Sequence, residues 1–387
     1  MKQSTKLIAM AAAFVSTVAF AQNATVPSAA STQSTSSPVA YIYVSSKAST
    51  NKYRINGYIA ASNGALTPVS GSPFSTSGIS YMALNGKWLF GDNGTDIYSF
   101  SIASNGALKQ VSSIDATKYN AYDTGGPENL FLDHSGATLY DFDFYGDGTG
   151  NNEYQSFDID QGTGVLSYTG TTPPSAYFET LLSFIGNNVD AYGSSCYEGT
   201  PDIYGFRRSS SGTLTELNIT PSIPTAPKGE VYCPYLAAAD PTNHVAISMT
   251  PTTEGGSAAG PAQLAVYTAN SAGNLTTTST DANMPKVSVA TVNDIWMSPS
   301  GKLLAVAGSG GLQVFHFNGA SPITAYTGLL TTDAINQVFW DNDNHLYAVS
   351  STAGKLFVFT VTPTTHSKAP GSPYAVAGAE NLIVLPK

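Results

Sequence analysis

Four carboxylates of this 387-residue chain stand just before short apolar triplets that recur along the sequence. If the triplets converge in the fold, these carboxylates converge with them. Like charges at one rim either bind a cation or raise one another's pKa, and carboxylates with separated pKa values perform general acid/base chemistry. They could equally be solvated, or bonded to strand-end amides, in a water-filled channel. The four residues are Glu128, Glu179, Asp294 and Glu380.

Polar and aromatic side chains fill the other places before the triplets and are candidates for contact with a bound ligand. The dipeptides concerned are Ser80-Tyr81, Glu128-Asn129, Glu179-Thr180, Tyr235-Leu236, Asn293-Asp294, Asn336-Gln337 and Glu380-Asn381. We predict ligand contact by Tyr81, Asn129, Tyr235, Asn293, Asn336, Gln337 and Asn381. Arg207 could also bond a ligand carboxylate through two N–H groups, although exposed cations on strands more often serve solubility.

The loop DFDFYGDGTGNNE (141–153) is a second acidic candidate. Asp141, Asp143 and Asp147 offer oxygen ligands around a glycine bend, which would suit Ca²⁺ or another divalent cation. The spacing departs from that of an EF-hand, because Tyr145 and Asn152 stand where ligands belong. A solvated turn between two strands is the alternative, and the proposed chemistry otherwise requires no cofactor.

The two cysteines, Cys196 and Cys233, could form a disulfide or act as reactive or metal-binding thiols. No His lies within a few residues of either one to activate it or to complete a metal site. In an oxidising compartment such a pair usually becomes a disulfide. We therefore predict a structural Cys196–Cys233 bridge.

The elements that must position these residues are visible as an internal repeat. INGYIAASNGALTPVSG (55–71) recurs as IYSFSIASNGALKQVSS (97–113), and weaker copies begin near residues 154, 203, 264, 312 and 356. Each copy alternates apolar and polar residues and most pass through a Gly-containing turn, which is typical of a hairpin. An apolar triplet, a polar turn and a second apolar run precede most copies and indicate a second hairpin.

Four strands in about 40 to 60 residues is the size of a propeller blade. Seven outer hairpins therefore predict an all-β, seven-bladed β-propeller. The first hairpin, at Tyr41, has no triplet before it, whereas the last triplet, which begins at Leu382, has no hairpin after it. We predict that the C-terminal strand closes the first blade, which would remove the exposed sheet edges.

The amino terminus has the pattern of a secretory signal peptide, with Lys2 and Lys6 before an apolar run and small residues at Ala19 and Ala21. We predict a signal peptide at 1–21, a disordered Ser/Thr-rich tether at 22–38 and the propeller at 39–387. The expected location is secreted or periplasmic. The net charge of −10, with three Arg, excludes a basic surface for nucleic acid, and no later apolar run is long enough for a membrane span.

The phrases NGALTPVSGSPF (63–74), SPSGKLLAVAG (298–308) and APGSPY (369–374) resemble the repeat of the lactonase family of seven-bladed propellers. That family includes 6-phosphogluconolactonase-like and carboxymuconate-cyclase-like proteins, so the resemblance implies this fold and an activity on lactones. Family members that act on lactones commonly have a His after Pro at the start of an inner strand. Here the matching place holds Pro127-Glu128.

Two functions remain open from the sequence. One is a lactonase-like hydrolase or isomerase whose rim carboxylates polarise water against a small sugar-derived or aromatic lactone. The other is a non-catalytic propeller that binds a small molecule, a glycan or a partner protein on its loop-rich face, for which Tyr and Asn are suited. In either case we expect a monomer.

Overall fold

The computed structural model describes residues 37–49, 52–120, 129–144, 152–172, 181–197, 199–253 and 256–387. Short strands separated by turns account for most of these residues, with a 3-10 turn at Ala116–Tyr119. The strands of the first half are β1 (Ala40–Ser49), β2 (Lys52–Ala60), β3 (Leu66–Pro68), β4 (Phe74–Thr76), β5 (Met82–Leu84), β6 (Trp88–Asp92), β7 (Asp96–Ile102), β8 (Leu108–Asp115), β9 (Asn129–Leu132), β10 (Thr138–Phe144), β11 (Asn152–Ile159), β12 (Leu166–Thr172), β13 (Ser183–Phe184), β14 (Asp190–Tyr197), β15 (Thr200–Arg208) and β16 (Leu214–Glu216).

The remaining strands lie between Glu230 and Pro386. They are β17 (Glu230–Ala239), β18 (His244–Thr253), β19 (Gln263–Ala269), β20 (Leu275–Thr277), β21 (Val292–Met297), β22 (Leu303–Gly308), β23 (Gly311–Asn318), β24 (Ser321–Ala325), β25 (Gln337–Trp340), β26 (His345–Ser350), β27 (Lys355–Val361), β28 (His366–Lys368), β29 (Tyr374–Ala375) and β30 (Ala379–Pro386).

These strands form seven antiparallel sheets, which are the blades of a β-propeller. From the inner strand outwards, blade 1 is β30-β1-β2-β3, blade 2 is β5-β6-β7-β8, blade 3 is β9-β10-β11-β12, blade 4 is β13-β14-β15-β16, blade 5 is β17-β18-β19-β20, blade 6 is β21-β22-β23-β24 and blade 7 is β25-β26-β27-β28. A fifth strand joins two of the blades, because β4 pairs with β2 in blade 1 and β29 pairs with β27 in blade 7. The inner strands β30, β5 and β9 contact one another in turn, as do β13, β17, β21, β25 and β30. The predicted fold class is therefore confirmed.

The C-terminal strand closes blade 1, as the orphan segments of the sequence predicted. β30 pairs antiparallel with β1, with Ala40 opposite Pro386 and Val44 opposite Leu382. The core is continuous across this closure, because Tyr43 of blade 1 belongs to one buried apolar cluster with Leu89 of blade 2 and Val349 of blade 7. Closure leaves no free sheet edge at the ends of the ring.

The two ends of the propeller differ in what they contain. We call the end where the chain enters the inner strands the rim face; it includes Ser80-Tyr81, Asn293-Asp294 and Glu380-Asn381. We call the opposite end the turn face; it holds the turn after each inner strand and the glycine turn of each outer hairpin. The candidate ligand ring lies on the rim face.

Tyrosines of the second strands link neighbouring blades at the turn face. In three blades the hydroxyl donates to the carbonyl oxygen of the glycine in the next blade's outer turn: Tyr43 to Gly106 at 2.8 Å, Tyr140 to Gly212 at 2.6 Å and Tyr192 to Gly273 at 2.9 Å. At Gly106 the φ angle is +84°, and a Cβ would lie 2.6 Å from Cδ1 of Tyr41. The repeated Asn-Gly and Ser-Gly turns therefore serve both backbone geometry and close contact between blades.

Candidate functional site

Asp294 is the predicted rim carboxylate whose geometry is clearest. It lies on the inner strand β21, and its Oδ2 accepts a hydrogen bond from the backbone N–H of Val338, on the inner strand of the next blade, at 2.9 Å. Burial raises the pKa of Asp294 to about 7, although backbone N–H groups of Val338 and Ile295 act in the opposite direction. A carboxyl group with this pKa can exchange a proton near neutral pH.

Gln337 holds the same position one blade further on. Its Oε1 accepts a hydrogen bond from the N–H of Leu382, on the inner strand β30, at 2.6 Å. Inner strands have no pairing partner on their central side, so their N–H groups need other acceptors. Asp294 and Gln337 therefore bond the inner edge of the ring in addition to lining its mouth.

Glu380 lies one residue earlier than this position, in blade 1, and it is half-buried. Burial raises the pKa of the Glu380 carboxyl, and the charge of Lys47 opposes that effect. For both Asp294 and Glu380 the largest cause of the raised pKa is burial rather than a second carboxylate. Among the described residues, the two acids thus behave as separate groups.

The predicted amides of the rim have different partners. Asn293 donates through Nδ2 to the carbonyl oxygen of Ile335 at 2.8 Å, and Asn336 accepts through Oδ1 from the N–H of Ser351 at 2.8 Å. The N–H of Asn381 donates to Oγ of Ser45 at 3.1 Å. Asn129 is half-buried at the start of β9.

Tyr81 and Tyr235 present aromatic surface on the rim face. Tyr81 is 38% exposed and Tyr235 is 41% exposed. Sequence reasoning missed a third aromatic residue, Trp296 on the inner strand β21, which is 38% exposed and lies 4.2 Å from Phe339 between ring centroids. Trp296 could have been predicted from the sequence, because bulky aromatic residues stand in the middle of two successive triplets, Ile295-Trp296-Met297 and Val338-Phe339-Trp340.

The alignment of blade 4 shifts by one residue from the sequence-based ring. In blade 7 the residue directly after the inner triplet is Asp341, and its N–H donates to the carbonyl oxygen of His345. In blade 4 the N–H of Ile185 makes the equivalent bond, to the carbonyl oxygen of Asp190. The inner triplet is therefore 182–184, and Leu181 holds the position of Asp294. Glu179, like Glu128, lies outside the described residues.

Arg207 lies at the turn-face end of β15, opposite the rim. Its Nε donates to Oδ1 of Asp190 at 2.8 Å, and its neighbour Arg208 forms an ion pair with Asp133 at 3.0 Å. Antiparallel pairing explains the placement, because Arg207 stands opposite Asp190 at the start of β14. Both guanidinium groups are bonded to carboxylates of the chain itself.

The predicted calcium loop falls largely outside the described residues, which include neither Asp147 nor the side chain of Asp143. Asp141 lies on β10 and is buried. Within the part of the chain that the structure describes, no group of three or more His, Cys, Asp or Glu side chains could hold a metal ion. The divalent-cation hypothesis thus rests on the sequence alone.

The predicted disulfide is present. Cys196 on β14 and Cys233 on β17 are bonded, and they join blades 4 and 5 near the rim face across 37 residues of sequence. The described residues contain no helix with the length and hydropathy needed to cross a membrane.

A polar cavity in blade 4 lies apart from the ring. Its volume is about 360 Å³, and its lining includes Asp202, Tyr204, Glu216 and Asn218. Burial raises the pKa of Asp202, and the nearby Glu216 adds to the effect. The cavity lies beside β15 and β16, the two outer strands of blade 4.

The fold is that of a seven-bladed β-propeller, and solved propellers that are named as lactonases have a similar fold. A candidate 6-phosphogluconolactonase from Bacteroides fragilis is 14% identical and matches 91% of this chain and 99% of its own, with a TM-score of 0.66. The periplasmic gluconolactonase PpgL of Pseudomonas aeruginosa is 13% identical and matches 89% of this chain and 99% of its own, with a TM-score of 0.65.

A candidate 6-phosphogluconolactonase from Bacteroides uniformis, at 11% identity, covers 89% of this chain and 99% of its own with a TM-score of 0.65. No family model matches the sequence. No curated protein matches it significantly. The resemblance to lactonase-family propellers predicted from the turn phrases is therefore confirmed as a likeness of fold.

Proposed function

We propose that this chain is an exported, lactonase-like hydrolase or isomerase that acts on a small sugar-derived or aromatic lactone at the rim face. The observation that carries the proposal is Asp294, an inner-strand carboxyl whose pKa is raised by burial to about 7. A general base is most effective when its pKa is close to the working pH. The likeness of fold to the periplasmic gluconolactonase PpgL of Pseudomonas aeruginosa supports the substrate class.

In hydrolysis, ionised Asp294 would take a proton from a water molecule as the water oxygen attacks the lactone carbonyl carbon. The ring C–O bond then breaks, and the proton passes from Asp294 to the departing alkoxide oxygen. The product is a hydroxy acid. Because the base must be ionised, turnover should rise as the pH passes through about 7.

The lactone should carry no phosphate. Arg207 and Arg208 are held by Asp190 and Asp133 on the turn face, so they are not available to bind a phosphate at the rim. The acidic groups Asp294 and Glu380 would repel such an anion, and Lys47 beside Glu380 offsets only part of their charge. A neutral lactone avoids both difficulties.

Export is supported by the sequence and by chemistry. The Cys196–Cys233 disulfide suits an oxidising compartment, and the amino-terminal pattern is that of a signal peptide. The similar Pseudomonas protein is named a periplasmic gluconolactonase. Cell fractionation of the producing organism tests this part, and recovery of the protein in the cytoplasm would contradict it.

The test of activity is a panel of lactones with and without phosphate, assayed with purified protein and with Asp294→Asn. Loss of the base should lower kcat/KM by roughly 10² to 10⁴-fold. Asp343→Asn, an exposed turn-face carboxylate, is the matched control and should leave turnover unchanged. Glu128→Gln, Glu179→Gln and Glu380→Gln belong in the same panel, and turnover indifferent to all the rim changes would remove these residues from the mechanism.

The alternative function is binding without catalysis. Tyr81 and Tyr235 favour it, because both present large exposed aromatic surface on the rim face, as ligand-binding and partner-binding surfaces do. A propeller that binds a glycan or a protein would show no turnover on any lactone and a ligand affinity that depends on these tyrosines.

A further inference from the structure

Trp296 is a large aromatic side chain that remains exposed on an inner strand. It is 38% exposed, although β21 pairs with β22 on one edge and lies between the inner strands β17 and β25. The other two tryptophans of the chain, Trp88 and Trp340, are 8% and 4% exposed. The centre of the ring of blades is the side of β21 that these strands leave open, so the exposed part of the Trp296 indole faces the central channel.

The neighbours of Trp296 at the same level of the channel explain this exposure. The strand registers align Trp296 with Phe339 in blade 7, Ala238 in blade 5 and Ser183 in blade 4. Phe339 supports the indole on one side, at 4.2 Å between ring centroids. On the other side Ala238 and Ser183 are too small to cover it. The backbone is held in place, because Nε1 of Trp340 donates to the carbonyl oxygen of Trp296 at 3.1 Å.

Asp294 lies on the same side of β21 as the indole. Residues two apart in a strand project from the same face, and both side chains reach strand β25 of blade 7. Oδ2 of Asp294 accepts from the N–H of Val338, and the Trp296 indole contacts Phe339. Two residues of strand span about 6 to 7 Å, which is comparable with the length of a fused two-ring lactone. A ring placed against Trp296 therefore leaves its carbonyl group near Asp294.

The wall around Trp296 suits an aromatic ring better than a sugar ring. Ala238 and Phe339 offer no hydrogen-bonding side chain, and the hydroxyl oxygen of Ser183 already accepts from the N–H of Ala239 at 2.8 Å. The hydroxyl groups of a sugar lactone would lose water here without gaining enough partners, which is costly. An aromatic ring has no such groups to desolvate and gains offset stacking on the indole.

We propose that Trp296 sets the specificity of this site by stacking on the aromatic ring of a two-ring lactone, whose carbonyl group then lies at Asp294. This inference rests on the proposed function and narrows it from two classes of lactone to the aromatic one. Because Trp296 binds the ring and moves no proton, its loss should act on KM more than on kcat.

The first experiment measures binding without turnover. The probe is dihydroquinolinone, the hydrolysis-resistant lactam of dihydrocoumarin, and glucono-δ-lactam is the sugar counterpart. In the unaltered protein, dihydroquinolinone should protect tryptophan fluorescence from acrylamide, because it covers the exposed tryptophan. Calorimetry should show binding weakened about tenfold or more by Trp296→Ala and restored in large part by Trp296→Phe. Trp88→Phe, a change to a buried tryptophan of blade 2, is the matched control and should keep both the binding and the protection.

The second experiment separates this inference from the proposed function by assaying dihydrocoumarin hydrolysis. Trp296→Ala should raise KM about tenfold with kcat little changed. If Asp294 is required for turnover but Trp296→Ala leaves KM unaltered, the inference fails and the proposed function stands. If dihydroquinolinone binds through Trp296 but no lactone is hydrolysed, the proposed function fails and the binding site stands. Acrylamide quenching that dihydroquinolinone does not change, or tighter binding of glucono-δ-lactam, overturns the inference even if Trp296→Ala does not fold.

Discussion

The two faces of the propeller are built in different ways. On the turn face the same contact recurs, since tyrosines of three second strands bond to glycine carbonyls of the next blade. On the rim face the residues before the inner triplets share no single role; they are Tyr81, Asn129, Leu181, Leu236, Asp294, Gln337 and Asn381. The contacts of the turn face are therefore alike in several blades, whereas the residues of the rim face differ from blade to blade.

The difference teaches where function should be sought in a repeat protein. A contact that recurs in several blades answers a need that those blades share, here the attachment of each blade to the next. The rim residues vary because only some are needed to bond the inner edge, as Asp294 and Gln337 do. At Asn381 the bond to a neighbouring strand is made by the backbone instead, because its N–H donates to Oγ of Ser45.

The largest expected effect on stability comes from removing the Cys196–Cys233 disulfide on the rim face. Replacing Cys196 and Cys233 together with Ser should lower the free energy of unfolding by about 4 kcal/mol, because the bridge closes a loop across 37 residues. Chemical denaturation measures the loss, and reduction of the unaltered protein should reproduce it. A loss below about 1 kcal/mol would show that non-covalent contacts hold the rim face as firmly as the turn face.

The next effect separates close packing from backbone strain. Gly106 and Gly94 have φ angles of +84° and +82°, but a Cβ at Gly106 would meet the ring of Tyr41 whereas a Cβ at Gly94 on the rim face meets nothing within 4 Å. Gly106→Ala should cost about 2 to 4 kcal/mol and Gly94→Ala about 1 kcal/mol. Equal losses in urea denaturation would mean that the turn face is no more tightly packed than the rim.

The fold was predictable because the hairpin pattern that produces each blade recurs along the sequence. Seven outer hairpins, the orphan segments at Tyr41 and Leu382, and the cysteine pair each left a pattern in the sequence, and the structure confirms all three. The tyrosine contacts were also visible, as Tyr43, Tyr140 and Tyr192 at the same place in their second strands, but their purpose depends on the next blade.

The site was less predictable, because its geometry depends on neighbours that lie far apart in sequence. The rim positions could be aligned, yet nothing in the residues around Asp294 showed that its carboxylate bonds to Val338 of the next blade. Blade 4 was misaligned by one residue because its triplet, 182–184, contains Ser183 in place of an apolar residue. The position of Arg207 could be determined only from the strand register, which places it opposite Asp190 on the turn face.

A pH dependence of stability tests the burial of Asp294. Its pKa in the folded protein is about 7, above the ordinary value of 3.8, so between those values the folded state binds the proton more tightly than the unfolded state. Stability should therefore fall as the pH rises from about 4 to about 7. Because Asp294 keeps some contact with solvent, we expect a fall of about 1 to 2 kcal/mol rather than the roughly 4 kcal/mol of a fully dry site. Asp294→Asn should remove this part of the slope, whereas Asp343→Asn on the turn face should keep it.

The smallest expected effect compares one hydroxyl on each face. Tyr140→Phe removes the donor to the Gly212 carbonyl, which is bonded at 2.6 Å in a buried setting, and should cost about 1 kcal/mol. Tyr98→Phe on the rim face removes a hydroxyl that contacts Asn93 and Asp96 near solvent, and water can replace those contacts, so the expected loss is below about 0.5 kcal/mol. If Tyr98→Phe proved the more costly of the two in denaturant titrations, hydrogen bonding would not distinguish the faces, and close contact at the glycines alone would account for the repeat.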